Sequence, residues 1–351
     1  MAEACLADGR RSHLSGLAGG EGSHPTRWWP PEGPRNPRGQ RWQPGRKSRA
    51  RQPRRGTGGR PPTFARRRWE DLRVAVVDVS SWSSIQPEQG GLDARKEWLS
   101  LVGDAPRDEW WLWKPLKETG SLEGTRPTRI NDVAEMVAHH PAEAIDLPSA
   151  PCKYAVRDGE RGIISRQIAP HLYELSPGSA WGAQGGDGYT VDSILSVPEG
   201  LTGPPPCEGM SAAEVFTGYL VLDAWIGNTD RHEEKWAVIE PPDGTAYLAP
   251  TFDHGSALGS GMTNDRRERC DRHAWCARGK SRAFKRPLID IAREAVDLTG
   301  AAWWADRVAT VHPATWTAIL DEHGALSDLT RSFVSDVLTI NQERVSEACR
   351  P

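Results

Sequence analysis

The chain has 351 residues and a formal net charge of −3. Residues 1–68 hold 15 Arg and one Lys against four acidic residues, a net of +12, so residues 69–351 carry −15. No apolar run reaches the roughly 18 residues of a membrane span, which excludes a transmembrane helix. Residues 1–25 lack the apolar segment of a signal peptide, and the six cysteines lie too far apart for a disulfide framework. Together these features predict a cytoplasmic protein without a membrane partner.

The Arg-, Pro- and Gly-rich segment over residues 1–68 has no apolar periodicity. Such a segment cannot bury enough surface to offset the entropy of ordering the chain, so we predict a disordered basic tail. Its arginines could contact nucleic acid or another anionic surface. The favoured alternatives are a solvated tail that folds back onto the acidic body, or a start codon assigned too early.

Residues 69–170 are predicted to form a β-rich lobe. The segments RVAVVDVSS, residues 73–81, and DEWWLWKP, residues 108–115, are typical of strands. Between them, EQGGLDARKEWLSL places two glycines before a basic pair, which predicts a strand, a turn and a second strand, either over a ligand or at the surface. The segment CKYAVRDGERGIISRQIAP, residues 152–170, has two β-rich runs around an Asp-Gly pair, the signal of a β-hairpin.

One helix is predicted within this lobe. Residues 131–150 are helical by composition, with Asn131 or Asp132 as the expected cap and apolar residues at helical spacing. Pro141 is expected to kink or split this helix, because proline has no amide hydrogen to donate within it.

Residues 171–351 are predicted to form a mostly helical lobe. After a Gly-rich loop, residues 211–228 combine a capping box of Ser211 and Glu214 with an apolar stripe and a terminal Gly227. Helical segments with short breaks follow towards the C-terminus. A β-rich front half and a helical back half predict an α+β protein of two lobes with a cleft between them.

Two aspartate-containing loops flank a short hairpin in the second lobe. The strand-like segments WAVIE, residues 236–240, and TAYLA, residues 245–249, are separated by the turn residues PPDG. A hairpin brings its ends together, and cross-strand spacing is about 5 Å, so Asp230 and Asp253 are expected near one metal ion. One aspartate could accept a hydroxyl proton while the other holds Mg²⁺ against phosphate oxygens. Taken singly, each could also be an ordinary turn cap.

Several motifs in fixed order resemble the HipA-like kinases, which are relatives of protein and phosphoinositide kinases. The motifs are WLWKP, NDVAEMVAHH, RGIISRQI, GNTDRHEEKW and YLAPTFDHGSALG, and the resemblance runs from about residue 90 to the C-terminus. Its specificity comes from GNTDRH followed, about 20 residues later, by APTFDHGSALG. The resemblance implies a two-lobed protein-kinase-like fold, in which residues 69–170 bind nucleotide and residues 171–351 carry the catalytic and metal loops. It also implies ATP- and Mg²⁺-dependent transfer of the γ-phosphoryl group to a hydroxyl, with protein Ser or Thr as the expected acceptor.

The resemblance assigns roles to individual positions. Asp230 would be the catalytic base, and Arg231 and His232 would brace the catalytic loop. Asp253 would bind the metal ion, and Lys114 would contact ATP phosphates.

The same resemblance implies further ATP-binding residues. The hinge that faces adenine would be residues 165–169, including Arg166, Gln167 and Ile168. A helical carboxylate should pair with Lys114, and Glu135 and Glu143 are the two candidates. Glu135 is preferred because it lies in the more regular helical turn.

Two features depart from the pattern of that family. At the usual position of a metal-binding Asn this chain has Lys235, and an ammonium repels Mg²⁺. Near a protein surface, two unit charges 4 Å apart interact by about 4 kcal/mol, and a divalent ion roughly doubles this, unless Lys235 turns to solvent or onto a phosphate. The glycine of the phosphate-covering turn is also poorly matched by LDARKEW. The alternative function is therefore a catalytically weakened pseudokinase that binds nucleotide or protein.

A third hypothesis is a metallohydrolase that uses Asp230, His232, Asp253 and His254. It is less favoured because the Asp230 and His232 pair lacks the ligand order that such sites usually show. Some HipA-like kinases phosphorylate proteins, and some act beside a DNA-binding antitoxin. The expected partners are therefore a nucleotide and either a protein substrate or an antitoxin-like protein.

Overall fold

The computed structural model describes residues 76–88, 95–116, 129–323 and 326–350. The predicted tail, residues 1–68, and the glycine-containing turn, residues 89–94, lie outside the described residues.

Six strands form one mixed sheet with the order β1-β5-β6-β4-β3-β2. β1 runs parallel to β5, and the other neighbouring pairs are antiparallel. The strands are Val77–Asp78 (β1), Ser83–Pro87 (β2), Glu97–Ser100 (β3), Trp111–Pro115 (β4), Cys152–Arg157 (β5) and Glu160–Arg166 (β6). They confirm the predicted β-rich front half. The strand predicted from residue 108 begins later, at Trp111, since Arg107–Glu109 form a 3₁₀ turn instead.

The hairpin of β5 and β6 turns at Asp158 and Gly159, as the sequence predicts. Both residues have positive φ angles, 51° and 81°, which is the backbone of a type I′ turn. Aspartate and glycine tolerate this conformation better than most residues. β6 in turn pairs with β4 and places Lys114 opposite Ile163. The hairpin therefore sets the position of the lysine that the motifs single out.

Gly162 on β6 lies against the backbone of β4. A Cβ atom there would be 2.5 Å from the Lys114 carbonyl oxygen and 2.6 Å from the Trp113 ring. We expect Gly162→Ala to lower the free energy of unfolding by about 1–3 kcal/mol, the usual cost of overpacking, in a urea denaturation experiment. Gly209→Ala is the matched control, because a Cβ there meets nothing within 4 Å. Equal losses in the two variants would contradict this prediction.

The remaining described chain is mostly helical, as predicted, and its helices pack mainly on two of their number, Ala212–Ile226 and Asp328–Ala348. A second sheet has the order β7-β8-β9. The helices are Asn131–Ala144 (α1), Val191–Ser196 (α2), Ala212–Ile226 (α3), Asn264–Arg269 (α4), Arg272–Ala277 (α5), Leu288–Thr299 (α6), Trp303–Thr310 (α7), Ala314–Glu322 (α8) and Asp328–Ala348 (α9). The strands of the second sheet are Glu174–Pro177 (β7), Ala237–Glu240 (β8) and Tyr247–Leu248 (β9). None of the described helices is both long enough and apolar enough to span a membrane.

The ends of α3 are set by residues next to it in the sequence. The Glu214 amide donates to Ser211 Oγ at 3.2 Å, and the Ser211 amide donates to Glu214 Oε2 at 2.7 Å, which completes the predicted capping box. Gly227 ends the helix with a left-handed φ of 65°. Between these ends the helix is buried nearly all round, rather than along one stripe. α3 is thus the centre of the helical half, and it delivers the loop that follows Gly227.

β8 and β9 form the predicted hairpin, although the strands are shorter than the sequence indicates. The pairing continues beyond them, because the Ala249 amide donates to the Ala237 carbonyl oxygen at 2.9 Å. The loop before β8 and the loop after β9 consequently leave on the same side of the hairpin. This is the geometric condition for Asp230 and Asp253 to share a site.

α1 differs from its predicted form near both ends. Its N-cap residue is Ile130 and makes no side-chain cap, so the prediction of Asn131 or Asp132 as the cap was wrong. The helix runs unbroken through Pro141 to Ala144, so the predicted split was also wrong. Pro141 lies in the last turn, where a missing amide hydrogen removes a single backbone bond.

Buried polar contacts hold α1 between the first sheet and the helical half. Asp132 is 1% exposed and forms an ion pair with Arg161 of β6 at 2.9 Å. Its carboxylate also lies 3.3 Å from His323, which follows α8. The Ile130 amide donates to the Ser260 carbonyl oxygen at 3.3 Å. Long-range partners therefore contact Oδ2 of the carboxylate that the local sequence suggests as a cap, while Oδ1 accepts from the Val133 amide at 2.9 Å.

Candidate active site

Lys114 and Glu135 form a buried ion pair between β4 and α1. Lys114 Nζ lies 2.8 Å from Glu135 Oε1, and the two side chains are 11% and 3% exposed. Burial opposes the charge on Lys114, but nearby carboxylates outweigh it and raise the pKa of Lys114 above its ordinary value. Glu143, the other candidate partner, instead lies 3.4 Å from the ring of His140. The structure thus pairs the lysine with Glu135.

Asp253 lies between two lysine side chains. Its Oδ1 is 3.3 Å from Lys114 Nζ, and its Oδ2 accepts a hydrogen bond from Lys235 Nζ. Burial opposes ionisation of Asp253, but the charges of Lys114 and Lys235 outweigh it and hold its pKa well below the usual range. Asp253 also has a φ of 59°, a left-handed conformation that aspartate adopts more readily than most residues with a side chain.

Asp230 lies in the loop after α3 and remains accessible, with 25% of its side chain exposed. Its Oδ2 accepts a hydrogen bond from Ser256 Oγ at 3.2 Å. Its Oδ1 lies 3.5 Å from the guanidinium of Arg282. Because Ser256 follows Asp253 closely in the sequence, the two aspartate loops meet at one place, as the hairpin predicts.

Arg231 braces the two aspartate loops from the interior. It is 2% exposed, and its Nε and Nη2 bond to both carboxylate oxygens of Asp223 on α3, at 2.7 and 2.8 Å. Its Nη1 donates to the Lys235 carbonyl oxygen at 2.7 Å, and Nη2 donates to Thr251 Oγ1 at 3.0 Å. One buried guanidinium therefore joins α3, the loop before β8 and the loop after β9.

His232 is half-buried within the same loop. Its Nδ1 accepts a hydrogen bond from the Glu234 amide at 3.3 Å. Within the described residues its ring makes no hydrogen bond to the carboxylate of Asp230 or Asp253. The structure brings His232 into the turn of the loop but does not bring its ring to the two aspartates.

His254 is turned into the protein. Its amide donates to Glu135 Oε2 at 3.3 Å, and its Nε2 lies 2.9 Å from Thr251 Oγ1. Burial, with the nearby charge of Arg231, lowers the pKa of His254 well below its ordinary value, so the ring is neutral. Among the described residues no cluster of three or more His, Cys, Asp or Glu is suited to a metal ion. The four residues of the metallohydrolase hypothesis therefore do not form a metal centre.

Asp223, Lys96 and Arg282 contribute to the site but are not indicated by the sequence motifs. Asp223 is a carboxylate in an otherwise apolar helix, and a buried carboxylate requires a buried partner, which is a signal that sequence reasoning could have used. Lys96 precedes β3, and its charge helps to lower the pKa of Asp253. Arg282 gives no local signal, since only the tertiary fold brings its amide to the Thr229 carbonyl oxygen, at 2.9 Å.

The segment predicted to face adenine links β6 to β7. The Gln167 amide donates to the Trp110 carbonyl oxygen at 2.9 Å, and the Gln167 side-chain oxygen accepts from the Ala169 amide at 3.0 Å. Arg166 Nε donates to a backbone carbonyl oxygen at 3.2 Å. Ile168 packs against a small apolar cluster beside β8. The polar side chains of this segment are therefore bonded to the protein's own backbone.

The side chains present do not fit a Mg²⁺ ion held by two protein ligands. Mg²⁺ requires oxygen ligands, and both oxygens of Asp253 already face ammonium groups. The second ligand position is Lys235, whose ammonium can only donate. Asn228 does not replace it, because its amide oxygen accepts from the Asp230 amide at 3.3 Å and its amide nitrogen donates to Asp223 at 2.8 Å. The lysines suit phosphate oxygens instead.

The first sheet, α1 and the helical half together have the fold of a kinase. The chain is similar to a Helicobacter pylori proinflammatory kinase, CtkA, with a TM-score of 0.59 and 16% sequence identity. The similarity covers 78% of this chain and 96% of that chain. At this identity the likeness shows the fold alone. It confirms the two-lobed α+β kinase-like fold that the motifs imply.

The other comparisons are weaker. A Shewanella oneidensis HipA, solved with HipB and operator DNA, has a TM-score of 0.42 and 11% identity over 79% of this chain and 68% of that chain, too low to carry an argument. A curated Sinorhizobium fredii protein, the inferred kinase Y4dM, is 28% identical over 136 residues, which are 35% of this chain and 33% of that protein. No family model matches the chain. The CtkA likeness therefore shows a kinase-like fold, and the Y4dM similarity joins about a third of this chain to a protein named as a kinase.

Proposed function

We propose that this chain is a kinase that transfers the γ-phosphoryl group of ATP to a hydroxyl, with protein serine or threonine as the acceptor class. The observation that carries the proposal is the approach of Glu135 and Asp253 to Lys114 Nζ, at 2.8 and 3.3 Å. Glu135 lies on α1, Asp253 lies in the loop after β9, and Lys114 lies on β4. In protein kinases, a strand lysine must pair with a helix glutamate, beside a metal-loop aspartate, before transfer occurs.

Asp230 is the proposed base. As the acceptor oxygen attacks the γ-phosphorus, the O–H bond of the acceptor breaks and its proton passes to a carboxylate oxygen of Asp230. The bond from the γ-phosphorus to the β–γ bridging oxygen breaks in the same displacement, and its electron pair leaves with ADP. The ammonium groups of Lys114 and Lys235 stabilise the negative charge on the phosphate oxygens.

The segment between β6 and β7 is the proposed contact for adenine. Since the side chains of Arg166 and Gln167 bond to the backbone, the contact would come from main-chain groups. The Ile168 amide donates no hydrogen bond to another described residue, so it is the candidate donor to the adenine ring.

Lys114→Met tests this proposal. The substitution removes the cation between Glu135 and Asp253 and keeps a side chain of similar length. We expect the wild-type protein to bind ATP and to yield phosphorylated Ser or Thr in mass spectrometry. We expect the variant to lose at least about tenfold in ATP affinity, or about 1.4 kcal/mol, in a calorimetric titration.

Lys153→Met is the matched control for that variant, because the Lys153 ammonium lies 5.1 Å from the centre of the Trp111 ring and not on a carboxylate of the site. A melting curve by circular dichroism checks that each variant is folded. Absence of ATP binding by folded wild-type protein would contradict the proposed function.

A second candidate function is a nucleotide-binding module with weak or absent transfer. The observation that favours it is the hydrogen bond from Lys235 to Asp253, which places an ammonium where a metal ligand is expected. ATP turnover with Mg²⁺ separates the two functions. Turnover by the wild-type protein favours the kinase. No turnover by the wild type, with turnover created by Lys235→Asn, favours the binding module.

The predicted protein partners belong to the proposal as well. HipB and operator DNA are present with the Shewanella protein, but the likeness to that protein is too low to assign either to this chain. An acceptor protein or an antitoxin-like partner therefore stays a prediction of the sequence motifs. The predicted nucleic-acid contact falls on residues 1–68, outside the described part of the chain.

A further inference from the structure

The backbone of Lys235 is fixed by the loop that carries the proposed base. The Lys235 amide donates to the His232 carbonyl oxygen at 2.8 Å, and the Lys235 carbonyl oxygen accepts from Arg231 Nη1 at 2.7 Å. The next residue, Trp236, is 1% exposed. Its own backbone hydrogen bonds and the buried residue after it therefore hold the backbone of Lys235, and only its side chain is free to adjust.

The ammonium of Lys235 bonds to Asp253, while its side chain stays partly exposed. It occupies Oδ2 of Asp253, while Lys114 lies 3.3 Å from Oδ1. The Lys235 side chain is 24% exposed. An ammonium has three donors, so Lys235 can hold Asp253 and also donate to an oxygen of a bound ligand.

The charged side chains at this point leave no net negative charge for a metal ion to neutralise. Lys114 and Lys235 balance Glu135 and Asp253, the carboxylates that they contact. Lys96 adds a third positive charge near Asp253. Its ammonium also forms an ion pair at 3.0 Å with Glu88, the residue after β2.

A divalent cation at this point would meet two ammonium groups. At the same distance a divalent ion is repelled by each ammonium twice as strongly as a monovalent ion would be. A triphosphate carries the opposite sign, so the same two groups attract it. The two carboxylates would attract a cation and repel a phosphate, but each is already paired with a lysine. The donors that remain on the lysines are therefore the groups that suit phosphate oxygens.

We propose that the ammonium of Lys235 replaces a metal ion as the bridge between Asp253 and the phosphates, so that this chain binds ATP without a divalent cation. Lys235 keeps its hydrogen bond to Asp253 Oδ2 and also donates to phosphate oxygens. Lys114 keeps its contact with Asp253 Oδ1 and also donates to phosphate oxygens. The inference rests on the proposed nucleotide binding at this site and adds that the binding is independent of metal.

The test is a calorimetric titration with a nonhydrolysable ATP analogue, in EDTA and in excess MgCl₂. The wild-type affinities in the two buffers are expected to agree within about threefold, or roughly 0.7 kcal/mol. Lys235→Asn is expected to lose at least about tenfold in EDTA and to recover in MgCl₂, because an amide oxygen is a Mg²⁺ ligand. Lys280→Asn changes an exposed lysine before α6, and its affinities in the two buffers should equal those of the wild type. Melting curves check the fold of each variant.

Three results would count against the inference in distinguishable ways. Wild-type binding in MgCl₂ but not in EDTA would overturn it and leave the proposed function standing. Undiminished binding by Lys235→Asn in EDTA would also overturn it, because another group would then hold the phosphates. No binding by folded wild-type protein in either buffer would overturn the proposed function itself.

Discussion

Replacing Asp230 with asparagine is expected to lower the rate of phosphoryl transfer by about 10²–10⁴-fold, the usual contribution of a general base. Asparagine keeps the shape of the side chain and an oxygen for the Ser256 hydroxyl, which donates to Asp230 at 3.2 Å. It cannot take the proton of the acceptor hydroxyl. ATP affinity should change little, because the lysines proposed to contact phosphate are elsewhere in the site. Single-turnover transfer from labelled ATP measures the rate, and calorimetry measures the affinity.

Asp243→Asn is the matched control for this variant. Asp243 is an exposed residue in the turn between β8 and β9, and its Oδ1 accepts from the Thr245 amide at 3.0 Å. Asparagine retains that acceptor, so neither the turn nor transfer should change. Transfer at the wild-type rate in Asp230→Asn would remove this carboxylate from the mechanism.

Asp223→Ala is expected to lower the free energy of unfolding by about 3–5 kcal/mol, the cost of leaving a buried charge without its partner. Asp223 and Arg231 are each 2% exposed, and bonds of 2.7 and 2.8 Å join them. Burial opposes the charge of Arg231, but the carboxylate outweighs it and raises the pKa of the guanidinium. The guanidinium therefore stays charged at neutral pH. Urea denaturation, which does not screen ion pairs, measures the loss.

Arg282→Ala provides the contrast, because its ion pair with Asp230 is long and lies at the surface. The guanidinium is 3.5 Å from the carboxylate and its side chain is 73% exposed. Exposed pairs of this kind contribute about 0–1 kcal/mol. A loss in Asp223→Ala no larger than that in Arg282→Ala would show that the buried pair does not stabilise the fold.

The elements that the sequence predicts well are those whose ends depend on neighbouring residues. Ser211 and Glu214 cap α3 through bonds that span three residues, and Gly227 ends it with a left-handed φ. Asp158 and Gly159 fix the turn of the β5–β6 hairpin in the same local way. These interactions form within one turn of chain, so the residue types alone indicate them.

The partners of the polar side chains at the site depend on segments far apart in the chain. Asp132 stands where the sequence predicts a helix cap, but its carboxylate contacts Arg161 and His323 instead. The sequence likewise shows that Lys235 stands where an amide is expected, while only the fold shows that its ammonium bonds to Asp253 rather than pointing to solvent. The hairpin was enough to predict where the loops meet, but not which side chains pair there.

Buried charged contacts on both of its sides hold α1 in place. Glu135 reaches Lys114 from a helix whose Asp132 is anchored in the interior, and Glu135 also accepts from the His254 amide at 3.3 Å. Swinging α1 outwards would leave several charges buried without partners, at a cost of several kcal/mol. These contacts therefore oppose an outward displacement of α1. We expect the helix to keep this position whether or not a ligand is bound.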